Sequence, residues 1–369
     1  MALGLNFGTG ADNDGETLFS AFTKINDFLS TTTRLSNDLE IDTIRIGRGN
    51  NSMDTNTVLG NNTGTSLTSG TGNTLIGKSA GRLITSAGAN TLIGCQAGET
   101  LTTGNFNTFI GRVAGQFNQG NTQNTFVGEA AGSSMTGNGS YNTFVGSIAG
   151  SAAISGSYNS FFGQGAGART IGNSNTMIGM SAGNNNISGY DHVFLGINAG
   201  IAQNGGNANT FLGSNAGSGS TSYLNATAIG SNAQPNGSNQ ITLGDGNINA
   251  LRCQVTSITG LSDSRDKTDI IEIVEGLEFV DKLKPITFTW NQRDGNRVGV
   301  KASGFIAQDL LELQNESSIG DNLDLVSEAD PERLEARYNN LLPVLVKAIQ
   351  ELSLEVKSLK SEIELLKAI

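Results

Sequence analysis

Pairs of neighbouring apolar residues return along the middle of the chain at an almost fixed interval, and a glycine follows each pair. Five examples are NTLIGKSAG at 73, NTLIGCQAG at 90, NTFIGRVAG at 107, NTFVGEAAG at 124 and NTFVGSIAG at 142. This glycine is taken as the anchor of its repeat. Self-similarity at a fixed period predicts a solenoid. The spacing is 17 residues, give or take one, until a last step of 14, and the twelve anchors are Gly60, Gly77, Gly94, Gly111, Gly128, Gly146, Gly163, Gly179, Gly196, Gly213, Gly230 and Gly244.

From Gly77 to Gly213 the two residues before the anchor are both apolar, for example Phe109 and Ile110 before Gly111. Neighbouring side chains on a β-strand point to opposite faces, so each predicted strand carries an apolar side chain on both faces. One face can fill the interior of the coil. A 17-residue coil has little else to cover the other face, and the pattern therefore predicts that the solenoid packs against other chains.

Polar and small residues also keep fixed positions relative to the anchor. Asparagine stands four residues before it in nine of the twelve repeats, which predicts a ladder of hydrogen-bonded amides along the axis. Alanine stands three residues after it in ten successive repeats, from Ala80 to Ala233, as a tight corner favours. His192, the one histidine of the chain, occupies the asparagine position. We interpret it as a ladder residue, with a metal or catalytic role as the alternative.

After residue 261 the pattern becomes that of an α+β domain. The stretch LKPITFTW (283–290) predicts a strand, and GFIAQDLLEL (304–313) predicts a short helix. Residues 338–369 predict a long helix, in which Pro343 is tolerated only in the first turns. Its heptad pattern predicts four heptads of coiled coil, with Leu342, Ile349, Val356 and Ile363 at the first position and Leu345, Leu352, Leu359 and Leu366 at the second. Branched residues at the first position with leucine at the second favour a two-stranded coil in isolated helices, so this seam alone does not predict a trimer.

Composition separates the same two parts of the chain. Residues 262–369 hold 34 of the 55 charged side chains but only 5 of the 50 glycines. The net charge of −11 argues against a nucleic-acid-binding protein, which would carry basic patches. No apolar run approaches the length of a membrane span, and no signal peptide is evident, so we expect cytoplasmic synthesis and no membrane insertion.

One stretch of the repeat region and one stretch at the N-terminus resemble known families. The last repeat, NQITLGDG (239–246), is similar to the head repeats of YadA-like trimeric adhesins, which implies a trimeric left-handed β-roll. An interwoven triple β-helix is the alternative. Residues 8–28, GTGADNDGETLFSAFTKINDF, resemble the short N-terminal segment of bacteriophage tail fibres. From Glu16 onward this segment predicts an amphipathic helix that caps the solenoid, anchors the chain to a virion, or does both.

The motifs SDSRDKTDI, LKPITFTW and GFIAQDL, with the coiled coil, resemble the intramolecular chaperone domain of phage endosialidases, tail spikes and fibres, also called the peptidase S74 domain. The resemblance covers residues 262–369. In that family the domain assembles a trimeric fibre and then cuts itself off before a serine, helped by a lysine five residues later. The resemblance implies a Ser262–Lys267 dyad and cleavage of the Leu261–Ser262 bond, with Ser264 as a neighbour that could be confused with the nucleophile.

The implied chemistry suits these residue types. A serine hydroxyl is a poor nucleophile unless a base takes its proton, and a lysine can act as that base only when it is neutral. The pKa of a free lysine is about 10.4, so a lysine base at neutral pH must be desolvated. We hypothesise that assembly of the trimer supplies this burial, so that cleavage follows completed folding.

The sequence therefore predicts an all-β trimeric parallel solenoid followed by an α+β chaperone domain with a long coiled-coil helix. Its predicted parts are an N-terminal virion-attachment or capping segment (1–42), the solenoid shaft (43–250), a linker to the cleavage site (251–261) and the chaperone domain (262–369). We expect a homotrimeric tail fibre or spike subunit, made in the host cytoplasm and located in the virion. Its N-terminal segment would contact tail or baseplate proteins. No cofactor or metal is expected, and the one expected reaction is single-turnover autoproteolysis.

The expected role is attachment to the host surface through a glycan or protein receptor. Tyrosines often stack on sugars, and Tyr141, Tyr158, Tyr190 and Tyr223 fall in the loops that enter neighbouring strands. Scattered aromatic residues on a solvated face are the simpler interpretation of these four. A purely structural fibre segment is the alternative function. A polysaccharide depolymerase is less favoured, because it needs paired carboxylates and no acid recurs on successive coils.

Overall fold

The structure is a computed structural model that describes residues 39–41, 44–48, 55–219, 221–254, 258–293, 295 and 297–368. The predicted N-terminal helix, from Glu16 onward, lies outside the described residues. The chain divides into two compact units, of which the first ends at Gly205 and the second begins at Gly206. The boundaries predicted at residues 42, 250 and 261 stay predictions.

The first unit is built from short strands that lie just before the anchor glycines. β1 pairs antiparallel with β2, and β2 pairs antiparallel with β3. From β3 to β11 each strand pairs parallel and in register with the equivalent strand of the next coil. The bounds are β1 Leu39–Ile41, β2 Ile44–Gly47, β3 Thr57–Gly60, β4 Thr74–Ile76, β5 Thr91–Ile93, β6 Thr108–Ile110, β7 Thr125–Val127, β8 Thr143–Val145, β9 Ser160–Phe162, β10 Thr176–Ile178 and β11 Val193–Leu195.

The second unit begins with three strands of the same kind, β12 Thr210–Leu212, β13 Thr227–Ile229 and β14 Ile241–Leu243, which also pair parallel. The repeat region is a β-solenoid of about 11 turns with 17-residue spacing, which confirms the predicted solenoid. These strand pairs form within one chain, as in a β-roll, whereas an interwoven triple helix pairs strands of different chains. The trimeric state stays a prediction.

In the first unit the side chain two residues before the anchor fills the interior of the solenoid, from Val58 to Phe194. In the first unit Phe109, Phe126, Phe144 and Phe161 are fully buried, and their rings stack with successive centroid distances of 4.8, 4.8 and 4.6 Å. The residue just before the anchor points the other way, and Ile110 keeps 37% of its surface exposed in the single chain. The strands from β3 to β11 therefore have two apolar faces, as predicted, and the coil itself covers only one of them.

The asparagines four residues before the anchor form the predicted ladder. Nδ2 of Asn107 donates to Oδ1 of Asn90 at 3.0 Å and to the carbonyl of Asn121 at 2.9 Å. The backbone N–H of Asn107 donates to the same Oδ1 at 2.9 Å, so one buried amide joins adjacent coils. The anchor must be glycine, because φ at Gly111 is +138° and a Cβ there would collide with the carbonyl oxygen of Gly128.

The second unit continues with the predicted α+β region. Phe279, Leu310, Leu313, Leu325 and Val344 belong to its apolar core. The predicted strand at 283–290 and helix at 304–313 are confirmed as β15 and α2. The bounds are a 3₁₀ turn Ser264–Asp266, α1 Leu277–Lys282, β15 Ile286–Thr289, β16 Lys301–Gly304, α2 Ala307–Glu316, α3 Gly320–Leu323, β17 Val326–Ser327, β18 Glu335–Ala336, a 3₁₀ turn Tyr338–Leu341 and α4 Leu342–Lys367.

The C-terminal helix α4 has Pro343 in its first turn, as the sequence predicts. Val344 and Ala348 are buried on the side that packs against the domain. The eight heptad residues are exposed in the single chain, from 38% at Leu345 to 71% at Leu366. A partner for this seam stays a prediction. Within the described residues, no helix combines the length and apolar character that crossing a membrane requires.

Candidate functional site

Ser262 and Lys267, the two residues of the predicted dyad, lie next to each other in space. Nζ of Lys267 donates to Oγ of Ser262 at 2.6 Å, across five positions of the chain. The 3₁₀ turn Ser264–Asp266 lies between them and is closed by hydrogen bonds from Asp266 N to Asp263 O and from Lys267 N to Ser264 O, of 3.2 and 3.3 Å. The structure therefore brings both predicted side chains together.

The charges around this pair belong to the turn itself. Asp263 is the residue before the turn, and its carboxylate accepts bonds from the backbone N–H and the guanidinium of Arg265. The guanidinium of Arg265 holds the pKa of Asp263 below its usual value, and the carboxylate raises the pKa of Arg265. Asp263 and Arg265 therefore both stay charged over the ordinary pH range.

Both dyad residues and the peptide bond before them are open to solvent in the single chain. Leu261 is fully exposed, and residues 261–270 are all exposed. A proton can pass between Oγ and Nζ at 2.6 Å. The Lys267 side chain is therefore solvated in the single chain.

The segment after the dyad is tied to the domain core by acidic side chains. Glu275 accepts hydrogen bonds from Oγ of Ser317 at 2.8 Å and Oγ of Ser318 at 3.1 Å, and the bond from Ser317 is the main cause of its lowered pKa. Glu351 of α4 accepts from the backbone N–H of Leu277 at 2.7 Å, at the start of α1. A Cβ at Gly276 would meet that carboxylate, so any larger residue there would displace the Glu351 side chain.

Two of the four predicted receptor tyrosines stack on each other. Tyr141 and Tyr158 stand five residues before their anchors, and their rings stack at 5.0 Å with an interplanar angle of 6°. They are 49% and 62% exposed. Tyr190 stands six residues before its anchor, two coils further on, and Tyr223 stands seven residues before its own. Tyr141 and Tyr158 therefore share a surface, and each has one ring face turned toward the other.

His192 lies in the asparagine ladder and is fully buried. Its backbone N–H donates to Oδ1 of Asn175 at 3.1 Å, and its ring stacks on Phe194 at 4.9 Å. Burial lowers the pKa of His192 to about 4, because the charged imidazole would lose its hydration. These contacts are those of a ladder residue. Across the part of the chain that the structure describes, no three His, Cys, Asp or Glu side chains are grouped as metal ligands would be.

Two features of these surfaces were missed from the sequence. Phe106 stands five residues before its anchor, at the position of Tyr141 and Tyr158, and is 65% exposed. Its offset from Gly111 was the signal that could have placed it with them. The pairing of Asp263 with Arg265 was also missed, although both residues lie within the SDSRDKTDI motif. The signal there was an aspartate one residue before a short turn, where it can accept a backbone N–H bond.

Residues 262–318 match the family model described as the chaperone of endosialidase. The match begins at Ser262, the first residue of the candidate dyad, and spans the 3₁₀ turn, α1, β15, β16 and α2. Neither a curated protein nor a solved structure matches the chain.

Proposed function

Starting from the chaperone-of-endosialidase match at residues 262–318, we propose that this chain is a subunit of a phage tail fibre or spike that releases its own chaperone by autocleavage. The match and the β-solenoid fit a tail fibre with a C-terminal chaperone domain. The observation that carries the autocleavage is the 2.6 Å contact between Nζ of Lys267 and Oγ of Ser262, at the first residue of the matched segment.

The chemistry follows from the position of the nucleophile. Lys267 in its neutral form takes the proton from Oγ of Ser262, and Oγ attacks the carbonyl carbon of Leu261. The Leu261–Ser262 C–N bond breaks as the Ser262 nitrogen receives the proton from Lys267. This leaves an ester between the Leu261 acyl group and Oγ. Water then hydrolyses the ester, giving a Leu261 carboxylate and a chain that begins at Ser262.

Mass spectrometry of the purified protein tests this assignment, with Ser262→Ala and Lys267→Arg as test variants and Ser264→Ala as the matched control. Wild type and Ser264→Ala should yield a fragment that begins at Ser262, and the two test variants should stay intact. Lys267→Arg keeps the charge but removes the base, since arginine does not lose its proton in proteins. Cleavage at Leu261–Ser262 in the Ser262→Ala variant would show that another nucleophile cuts the chain.

We further propose a homotrimer, supported by two apolar surfaces that the single chain leaves open. One runs along the solenoid at the residue before each anchor, where Ile178 and Leu195 are 38% and 41% exposed. The other is the heptad seam of α4, where Ile349 and Leu359 are 67% and 56% exposed. Contiguous exposed apolar surface of this extent is typical of contact sites. Near-identical repeats allow neighbouring chains to shift by whole repeats relative to one another. A coiled coil at one end can keep three chains aligned.

Because the dyad is exposed in the single chain, we propose that assembly buries it and so couples cleavage to folding. Refolding at a series of chain concentrations tests the coupling. The cleavage rate should rise with concentration together with the trimer fraction measured by sedimentation. Cleavage at the same rate in monomeric chains as in trimers would contradict the coupling while leaving the dyad itself intact.

We propose that the fibre contacts the host surface, and the stacked Tyr141–Tyr158 pair is the surface that supports this best. Its outer ring faces can take the apolar face of a sugar. Adsorption of phage carrying the Tyr141→Ala and Tyr158→Ala double variant should fall, and addition of Tyr190→Ala and Tyr223→Ala should lower it little further. Phe117→Ala, at another exposed aromatic residue, is the control. Unchanged adsorption of all variants would favour the alternative, a purely structural fibre segment.

A further inference from the structure

A carboxylate and a guanidinium brace the turn that joins the two candidate catalytic residues. Oδ1 of Asp263 accepts from the backbone N–H of Arg265 at 2.9 Å and from Nε of Arg265 at 3.0 Å. Oδ2 accepts from Nε at 3.2 Å and also from Nη2. One carboxylate thus receives both a backbone bond and a forked, charge-assisted side-chain bond from the same residue.

The turn is what allows Lys267 to reach Ser262. Five residues of extended chain span roughly 17 Å, far more than a lysine side chain can bridge. In the structure the chain instead turns tightly over Ser264–Asp266, and Nζ of Lys267 comes within 2.6 Å of Oγ of Ser262. A three-residue 3₁₀ turn is weak by itself, so an acceptor for its free N–H at the start contributes much of its stability.

We propose that Asp263 is a positioning residue for the autocleavage, because its carboxylate, locked by Arg265, caps the turn that presents the Lys267 amine to the Ser262 hydroxyl. This inference rests on the proposed function of the Ser262–Lys267 pair. Asp263 acts through the turn and touches neither reacting atom. All bonds of the brace lie within one chain, so the turn is set before any partner chain arrives. Assembly then has only to bury a contact that already exists.

The test measures the autocleavage rate of assembled full-length chains. Asp263→Ala should cut about fivefold more slowly, the loss expected from removing a capping side chain. Asp263→Asn should recover most of the rate, because its amide oxygen still accepts the Arg265 N–H. Arg265→Ala should fall between wild type and Asp263→Ala, since the backbone bond survives. Ser264→Ala, inside the same turn, should cut at the wild-type rate.

A second measurement reads the position of Lys267 without using the cleavage rate. In a Cys95→Ser, Cys253→Ser background, the Ser262→Cys thiol beside a lysine ammonium should ionise at lower pH than a free thiol. Intact chains are alkylated with iodoacetamide over a range of pH, and the midpoint is read by mass spectrometry. Adding Asp263→Ala should move that midpoint upward, and adding Asp263→Asn should leave it close to the parent value.

The possible outcomes separate this inference from the proposed function. Wild-type cleavage by Asp263→Ala, together with an unmoved alkylation midpoint, would overturn the positioning role and leave the dyad untouched. An Asp263→Asn variant as slow as Asp263→Ala would overturn the capping role as well. No cleavage in wild type under any assembly condition would overturn the proposed autocleavage, and the positioning role with it.

Discussion

Two buried asparagines six positions apart predict opposite responses to the same substitution. Asn118 and Asn124 are both fully buried. Among the described residues, neither the Nδ2 nor the Oδ1 of Asn118 has a hydrogen-bond partner, and the equivalent position seven residues after the anchor holds Leu101 in the preceding coil and Met135 in the next. Nδ2 of Asn124 donates to the carbonyl of Gly139 at 2.9 Å, and its Oδ1 accepts from N and Nδ2 of Asn142 at 2.9 and 3.1 Å.

The hydrogen bonds that each asparagine makes determine the expected change in the free energy of unfolding. Burying an amide without a hydrogen bond costs about 1–3 kcal/mol, so Asn118→Leu should raise the free energy of unfolding by about 1–2 kcal/mol per chain after some repacking cost. That corresponds to a melting temperature higher by about 2–8 °C. Asn124→Leu removes three bonds and leaves the Gly139 carbonyl and the Asn142 N–H buried without them. At about 1 kcal/mol per bond and more per orphaned group, the loss should be about 3–5 kcal/mol per chain.

Calorimetric melting of both variants in the uncleaved Ser262→Ala background measures this difference, since every sample then contains one chain species. Asn138→Leu is the matched control, because Asn138 is exposed and its substitution should change stability by less than about 0.5 kcal/mol. Hydrogen exchange gives a local readout, in which the Asn142 amide should lose protection in Asn124→Leu alone. The reasoning fails if Asn118→Leu destabilises the protein as much as Asn124→Leu does.

Two further predictions concern the ladder and the anchors. Folding lowers the pKa of His192 from 6.5 to about 4. Between these two pH values the unfolded chain binds more protons than the folded chain, so the free energy of unfolding should fall as the pH drops from about 6.5 to about 4. This difference in pKa corresponds to a loss of about 3 kcal/mol of stability per chain at most. The His192→Asn variant restores the ladder residue, and urea unfolding over the same pH range should show that it lacks this loss. Equal pH dependence of both proteins would contradict the prediction. Gly111→Ala should destabilise the chain by about 3 kcal/mol or more, because its Cβ would meet the Gly128 carbonyl at φ +138°. The control Gly120→Ala has only the hydroxyl of Thr103 nearby and should leave the melting temperature almost unchanged.

The period of the apolar residues determined the repeat fold by itself. A strand has two faces, so Phe109 and Ile110 next to each other already imply one inward and one outward side chain. The asparagine ladder followed from the same period, because residues at the same position of successive repeats lie above one another in successive coils. The elements of the α+β region followed from local patterns in the same way, and Pro343 fixed where the last helix could begin.

Only the tertiary structure decided which residues meet, because contacts depend on angles that the period leaves open. Tyr141 stacks on Tyr158 because both stand five residues before their anchors, whereas Tyr190 stands six and Tyr223 seven residues before its own. The sequence named Ser262 and Lys267 through a family resemblance, but five residues of chain could equally have held them far apart. The turn capped by Asp263 brings them to 2.6 Å, because a side-chain acceptor at its first residue makes the compact geometry more stable than the extended one.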